Sequence, residues 1–123
     1  MVHSIKFWHA CHMPLVFSYG RLQRDDVQVS VLGRQLKGTK TRLLGYERVL
    51  IDIKDREHAA AHGAGHYENL IPASRSDNAV EGMALEVTDD ELLDLDRYDA
   101  LDGYTRIAIV LATGQNAWVY VHE

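Results

Sequence analysis

The chain has 123 residues, 46% of them hydrophobic and 25% charged, which is the size and composition of one folded globular domain. Its formal net charge is -5 and no stretch is strongly basic, so the sequence argues against a nucleic-acid partner. It contains no run that approaches the ~20 apolar residues of a membrane helix. Its single cysteine, Cys11, suits a reducing compartment. We therefore expect a cytoplasmic protein without a membrane partner.

The beginning of the chain divides into an irregular segment and a strand. Residues 1–13 mix His, Trp, Cys and Met without periodicity and are predicted to be a loose leader, followed by a single domain over residues 14–123. The apolar run at residues 15–19 ends at Gly20, which is the pattern of a buried strand that enters a tight turn.

The next segment, residues 21–38, carries two conflicting patterns. Val27, Val29 and Val31 alternate, which favours a strand. Asp25 just before them could cap a helix, and Val27 and Val31 also share one helical face. Periodicity alone leaves both interpretations open.

The rest of the chain reads as strands around one long loop and one helix. Thr88 and Glu91 have the spacing of a capping box, which predicts a helix of about ten residues with Leu92 and Leu95 facing the core. Other segments have strand-like apolar patterns, with a polar surface loop over residues 54–78 that includes a short strand. The predicted strands are residues 43–46, 48–53, 67–71, 80–87, 104–111 and 117–121, the last two forming a hairpin.

Asp99 is the first candidate for chemistry. Leu92, Leu95 and Asp99 lie at i, i+3 and i+7, so Asp99 shares the core-facing stripe at the negative end of the helix dipole. Burial and the dipole both raise the pKa of a carboxyl group, as a general base near neutrality requires. The alternative is that the helix frays at Tyr98 and leaves Asp99 exposed to solvent.

The turn at Tyr19 and Gly20 is the second candidate. A strand that ends in Gly presents successive backbone amides, which can receive a carboxylate or another oxyanion. The alternative is a turn that only reverses the chain. Trp118 and Tyr120 alternate on the last predicted strand, a pattern more typical of a core than of a site.

The histidines suggest a metal site only weakly. His58, His62 and His66 recur every fourth residue, but Gly63 and Gly65 interrupt that helical spacing and no carboxylate completes a zinc set. A second cluster near the N-terminus has no partner motif either; it consists of His9, Cys11 and His12. We interpret both as solvated segments and predict no metal, leaving a metal-binding protein as the weakest hypothesis.

Taken together, these segments resemble the gamma-glutamylcyclotransferase-like family. The resemblance covers most of residues 14–121 and rests on short motifs in the expected order. They are PLVFSYGRLQ at 14–23, VQ at 27–28, GR at 33–34, Gly38, GY at 45–46, VEG at 80–82, EVT at 86–88, EL at 91–92, LDRY at 95–98, Tyr104 and AWVYV at 117–121.

The resemblance favours the helical interpretation of residues 21–38 and implies an α+β fold, a small mixed β-barrel with flanking helices. It implies an enzyme that needs no cofactor and cyclises a gamma-glutamyl amine to 5-oxoproline, releasing the amine. The implied partner is a small gamma-glutamyl or amino-acid-like molecule, whose carboxylate the amides of the YG-x-L loop would hold. The implied substrate-binding residues are Tyr19, Gly20, Arg21, Leu22 and Tyr120.

Two positions depart from the family pattern. Asp99, followed by Ala100, stands where the family normally has a catalytic Glu that takes a proton from the alpha-amine and passes it to the leaving nitrogen. Asp is one methylene shorter, roughly 1.5 Å of reach, and misplacement by about 1 Å can lower a rate around a hundredfold. Arg21 replaces a small Ser or Thr, and either crowds the pocket or supplies a cation for an anionic ligand. The alternative to an enzyme is therefore a non-catalytic binding module that keeps the pocket.

Overall fold

Seven strands and two helices make up the part of the chain that the computed structural model describes, residues 13–52 and 66–122. The strands are β1 (Leu15–Ser18), β2 (Gly38–Leu44), β3 (Tyr46–Asp52), β4 (His66–Pro72), β5 (Ala79–Glu86), β6 (Tyr104–Val110) and β7 (Asn116–His122). The helices are α1 (Asp25–Leu32) and α2 (Asp89–Ala100), and a short 3₁₀ turn, Arg21–Gln23, follows β1.

The strands form two sheets. Five of them make a mixed sheet in the order β2-β5-β1-β7-β6, in which β1 runs antiparallel to β5 and parallel to β7. The other two, β3 and β4, pair with each other as a separate antiparallel ribbon. The α+β class is confirmed, but within the described residues the sheets do not close into a barrel. Side chains join the ribbon to the sheet instead, since the Asn69 amide bonds the backbone N–H and C=O of His122 at 2.8 and 2.9 Å.

The hydrophobic core lies on both faces of the five-stranded sheet. Val16 and Phe17 are neighbours on β1 and therefore point to opposite faces. Phe17 packs in a cluster that includes Leu70 of the ribbon, while Val16 packs with Leu95 of α2. The central strand β1 is thus covered on both sides, which fixes the position of the turn that follows it.

Helix α1 resolves the ambiguous segment. Val27 is buried, whereas Val29 is 48% exposed, so the alternating valines do not line one face of a strand. The helix ends at Gly33, whose φ of 80° lies in the left-handed region that glycine adopts without strain. The Gly33 N–H donates to the Val29 carbonyl at 2.9 Å, which closes the last turn.

Helix α2 confirms the predicted capping box. The Thr88 hydroxyl accepts from the Glu91 N–H at 3.1 Å, and a Glu91 carboxylate oxygen accepts from the Thr88 N–H at 2.9 Å. Leu92 and Leu95 are buried as expected. The capping box therefore fixes where α2 begins, and Leu92 and Leu95 define the face of α2 that meets the sheet.

The predicted loop over residues 54–78 contains β4, a little longer than the strand expected at residues 67–71. His58 and His62 lie outside the described residues, and so does nearly all of the predicted leader. Neither helix in the described ranges has the length and apolar character that a membrane crossing requires.

Candidate active site

A cavity of about 590 Å³ lies where β1 ends, between the following turn, β4, β7 and the C-terminal end of α2. Every residue that the sequence placed in a site borders this one cavity. These residues are Tyr19, Gly20, Arg21, Leu22, Asp99 and Tyr120.

The turn after β1 is held in place by its own backbone hydrogen bonds and by the buried side-chain amide of Gln28. The N–H groups of Gln23 and Arg24 donate to the carbonyls of Gly20 and Arg21 at 3.2 and 3.0 Å, which forms the 3₁₀ turn. The Gln28 side chain, 2% exposed, donates to the carbonyl of Leu22 at 2.9 Å. The loop that carries residues 20–22 is therefore fixed against α1.

Tyr19 ties the turn to the last strand. Its hydroxyl donates to the Tyr120 carbonyl at 2.8 Å, in a buried contact that spans 101 positions of sequence. Burial raises the pKa of Tyr19, and the nearby Tyr104, Asp99 and Glu68 raise it further. The hydroxyl is therefore neutral at physiological pH and serves as a fixed donor.

Tyr120 belongs to a polar network behind the cavity. Its hydroxyl donates to Asp96 Oδ1 at 2.7 Å, with the Leu92 carbonyl at 3.3 Å, and burial raises its pKa. The same Asp96 oxygen accepts from Arg106 Nε at 3.1 Å. The Arg106 guanidinium carbon lies 4.2 Å from the centre of the Trp118 ring, a cation–π contact. Tyr120 thus borders the cavity and also belongs to the buried cluster against which Trp118 packs, in line with the core pattern of these two strand positions.

Asp99 is half-buried in the last turn of α2, which continues to Ala100 instead of fraying at Tyr98. Burial raises the pKa of Asp99 to about 7, and the negative charges of Asp102 and Asp96 contribute to the rise. Arg21 acts in the opposite direction but does not offset them. A carboxyl group with this pKa exchanges its proton near neutral pH, which is what general acid–base chemistry requires.

Glu68, on β4, is a cavity residue that the sequence analysis missed. Its Oε1 lies 3.3 Å from Arg48 Nη2, and Arg48 Nη1 donates to the Tyr19 carbonyl at 3.1 Å. The Tyr104 hydroxyl donates to the Glu68 backbone carbonyl. The other carboxylate oxygen of Glu68, Oε2, lies so close to Gly20 that a Cβ added to Gly20 would be 2.7 Å from this oxygen. The ribbon therefore brings a carboxylate against the turn.

The missed residues carried only weak signals in the sequence. Glu68 lies two positions before Leu70, which is buried, and residues two apart on a strand share a face. An acidic residue on such a face is a sign of a site. Asp102 and Tyr104 also border the cavity. Asp102 lies in the turn after α2, and Tyr104 opens a predicted strand, whose pattern indicates structure and not a site.

Metal binding finds no support in residues 13–52 and 66–122, where no group of three or more His, Cys, Asp or Glu side chains could hold an ion. Of the two predicted clusters, His66 lies at the start of β4. The other members fall outside those ranges; they are His58, His62, His9, Cys11 and His12. They stay a prediction of solvated segments.

The fold is therefore a mixed sheet whose central strand ends at a cavity beside a helix. The family model described as gamma-glutamyl cyclotransferase, AIG2-like, matches residues 16–123, and the chain belongs to that family. The resemblance seen in the sequence motifs is thereby confirmed.

Solved structures share this fold. A protein of Arabidopsis thaliana, known from its solution structure, is 26% identical with a TM-score of 0.66, covering 89% of this chain and 68% of its own. A protein titled gamma-glutamyl cyclotransferase is 15% identical with a TM-score of 0.70, and the match covers 91% of this chain and 68% of that protein. An uncharacterized human protein is 14% identical with a TM-score of 0.70, and the match covers 90% of this chain and 67% of that protein. The chain spans about two thirds of these relatives, and no curated protein sequence matches it.

Proposed function

We propose that this chain is a cytoplasmic enzyme that converts a gamma-glutamyl amine into 5-oxoproline and the free amine, with Asp99 as its general base. The observation that carries the proposal is the position of Asp99, half-buried in the same cavity as the Tyr19–Gly20 turn and with a pKa of about 7. Membership of the gamma-glutamyl cyclotransferase, AIG2-like family supports it.

The reaction needs one group that first accepts and then returns a proton. Ionised Asp99 takes a proton from the substrate alpha-amine, whose nitrogen then attacks the gamma-carbonyl carbon and closes a five-membered ring. The bond from that carbon to the departing nitrogen breaks as Asp99 returns the proton to the departing nitrogen. A carboxyl group with a pKa near neutrality suits both steps, because it neither holds nor releases the proton too strongly.

The turn supplies the binding half of the proposal. Backbone amides in residues 20–22 would hold the substrate carboxylate, and the Arg21 guanidinium beside them favours an anion. The buried Gln28 amide keeps this loop in place through the Leu22 carbonyl. Preorganised donors of this kind bind without the free-energy cost of ordering a loop.

The test is release of 5-oxoproline from a panel of gamma-glutamyl amines by wild type, Asp99→Asn and Asp99→Glu. Asp99→Asn keeps the size of the side chain but cannot accept the proton, so we expect turnover to fall by about two orders of magnitude or more while ligand binding persists. Equal activity in wild type and Asp99→Asn would exclude Asp99 as the base.

The other outcomes separate the proposal from its alternative. A faster Asp99→Glu variant would mean that the cavity keeps the geometry that the longer family residue needs, and a slower one that it has adapted to Asp. The shorter side chain is the observation that favours a non-catalytic binding module. No turnover by any of the three proteins, with ligand still bound, would establish that module instead.

A further inference from the structure

The wall that β4 contributes to the cavity carries the Glu68 carboxylate directly over Gly20. A Cβ added at Gly20 would lie 2.7 Å from Glu68 Oε2, closer than side-chain atoms approach one another. Gly20 therefore leaves room for that oxygen, and a negative charge lies at the start of the loop that would otherwise receive an anion.

The carboxylate is fixed in this position from two directions. Arg48 bridges it to the turn, with one guanidinium nitrogen 3.3 Å from Oε1 and another donating to the Tyr19 carbonyl at 3.1 Å. The strand behind it is anchored as well, because the Tyr104 hydroxyl donates to the Glu68 carbonyl and the next residue, Asn69, bonds the backbone of β7. Glu68 is thus a built part of the cavity and not a loose surface side chain.

The charges around the turn favour one orientation of a ligand in the cavity. Glu68 covers Gly20, while Arg21 follows it in the chain and presents a cation to the same cavity. Arg24 also borders the cavity, and its guanidinium forms an ion pair with Asp26 at 2.8 Å. An amino-acid head group fits this arrangement with its carboxylate towards Arg21 and its ammonium towards Glu68.

We propose that Glu68 is a specificity-determining residue that accepts a hydrogen bond from the ammonium group of the ligand and excludes analogues without that group. The inference rests on the proposed function, since it concerns the same gamma-glutamyl compounds. Two carboxyl groups then act at one nitrogen: Glu68 orients the amino group, while Asp99 accepts its proton. Without the ammonium, the charge of Glu68 repels the anionic end of the ligand.

The experiment compares two small probes by calorimetry with the 123-residue chain: L-glutamate, and glutarate, which is the same molecule without the ammonium group. We expect wild type to bind L-glutamate at least tenfold more tightly, and Glu68→Gln to reduce that preference by about tenfold, the usual size of a charge-assisted hydrogen bond. Glu47→Gln is the matched control, because it removes the same charge at an exposed position on the neighbouring strand. Its preference should equal that of wild type.

Each other outcome has a defined meaning. A preference unchanged in Glu68→Gln, or tighter binding of glutarate by wild type, would overturn the role of Glu68. Binding of neither probe by wild type would overturn this inference, and the proposed function would then stand or fall on 5-oxoproline release alone. A preference that depends on Glu68 without any 5-oxoproline release would leave Glu68 supported and overturn only the enzymatic proposal. If Glu68→Gln does not fold, Glu68→Asp withdraws the carboxylate from Gly20, and an unchanged preference would again overturn the role.

Discussion

The two ends of α2 hold carboxyl groups in opposite electrostatic surroundings. At the first turn, both Glu91 oxygens accept from the Arg34 guanidinium at 2.7 Å, and together with the Thr88 N–H this lowers the pKa of Glu91. At the last turn, burial and the neighbouring acidic residues raise the pKa of Asp99. The helix dipole reinforces both pKa shifts, because it favours negative charge at the N-terminus and disfavours it at the C-terminus.

The difference indicates what each end is for. The first turn contains a capping box and an ion pair, which stabilise the helix. The last turn holds a carboxylate that its surroundings disfavour, an arrangement that recurs at functional sites. The first turn therefore contributes to stability, whereas the last turn contributes a carboxyl group to the cavity.

The largest expected effect is at Leu95, which lies between the two ends. Leu95 is 1% exposed and packs against Val16 of the central strand. Leu95→Ala should lower the free energy of unfolding by about 3 kcal/mol, because it removes buried contacts and leaves a cavity. Urea denaturation measures the loss. Leu93→Ala, at a position 50% exposed, should change stability by less than about 0.5 kcal/mol, and equal losses would place the core contact of α2 elsewhere.

The next effect concerns the dependence of stability on pH. An Asp whose pKa is raised on folding binds its proton more tightly in the folded state, so wild type should lose stability as the pH rises from about 4, the ordinary pKa of Asp, to about 7. Asp99→Asn lacks this loss. We expect it to be more stable than wild type at pH 8, on the order of 2 kcal/mol, with the difference vanishing below about pH 4.

Thermal unfolding across this pH range checks that prediction. Asp94→Asn is the control, because Asp94 lies on the same helix but is exposed to solvent. A wild-type curve that runs parallel to that of Asp99→Asn would mean that the surroundings of Asp99 do not disfavour its charge.

The smallest effect tests the first turn. Thr88→Ala removes the hydroxyl that accepts from the Glu91 N–H and should lower the free energy of unfolding by about 1 kcal/mol. Thr88→Ser keeps the oxygen and should lose only a few tenths of that amount. If both variants lose the same stability in urea denaturation, the capping bond is not what anchors this end.

Local patterns made one end of the site predictable. The spacing of Thr88 and Glu91 fixed the start of α2, and the i, i+3, i+7 stripe then placed Asp99 on its inward side. The motif around Tyr19 and Gly20 located the turn because a strand that ends in Gly is recognisable within a few residues.

The other parts of the site depend on contacts that local patterns do not encode. Glu68 reaches the cavity only because the β3–β4 ribbon packs on the sheet, a long-range arrangement that the weak local pattern around residue 68 does not encode. The partnership of Asp96 with Tyr120 joins residues 24 positions apart on different elements. The helix α1 was ambiguous for a different reason, since its alternating valines satisfy two periodicities at once and only packing decides between them.

The strand order makes the pairing of the central strand β1 non-local. The central strand β1 is synthesised first, yet its two partners begin only at Ala79 and Asn116. Such non-local pairing carries a large loop-closure entropy and slows folding relative to a chain of local contacts. On the ribosome the cavity therefore cannot form until residues 116–122 have emerged, so a ligand of this cavity can stabilise the finished domain but no shorter nascent chain.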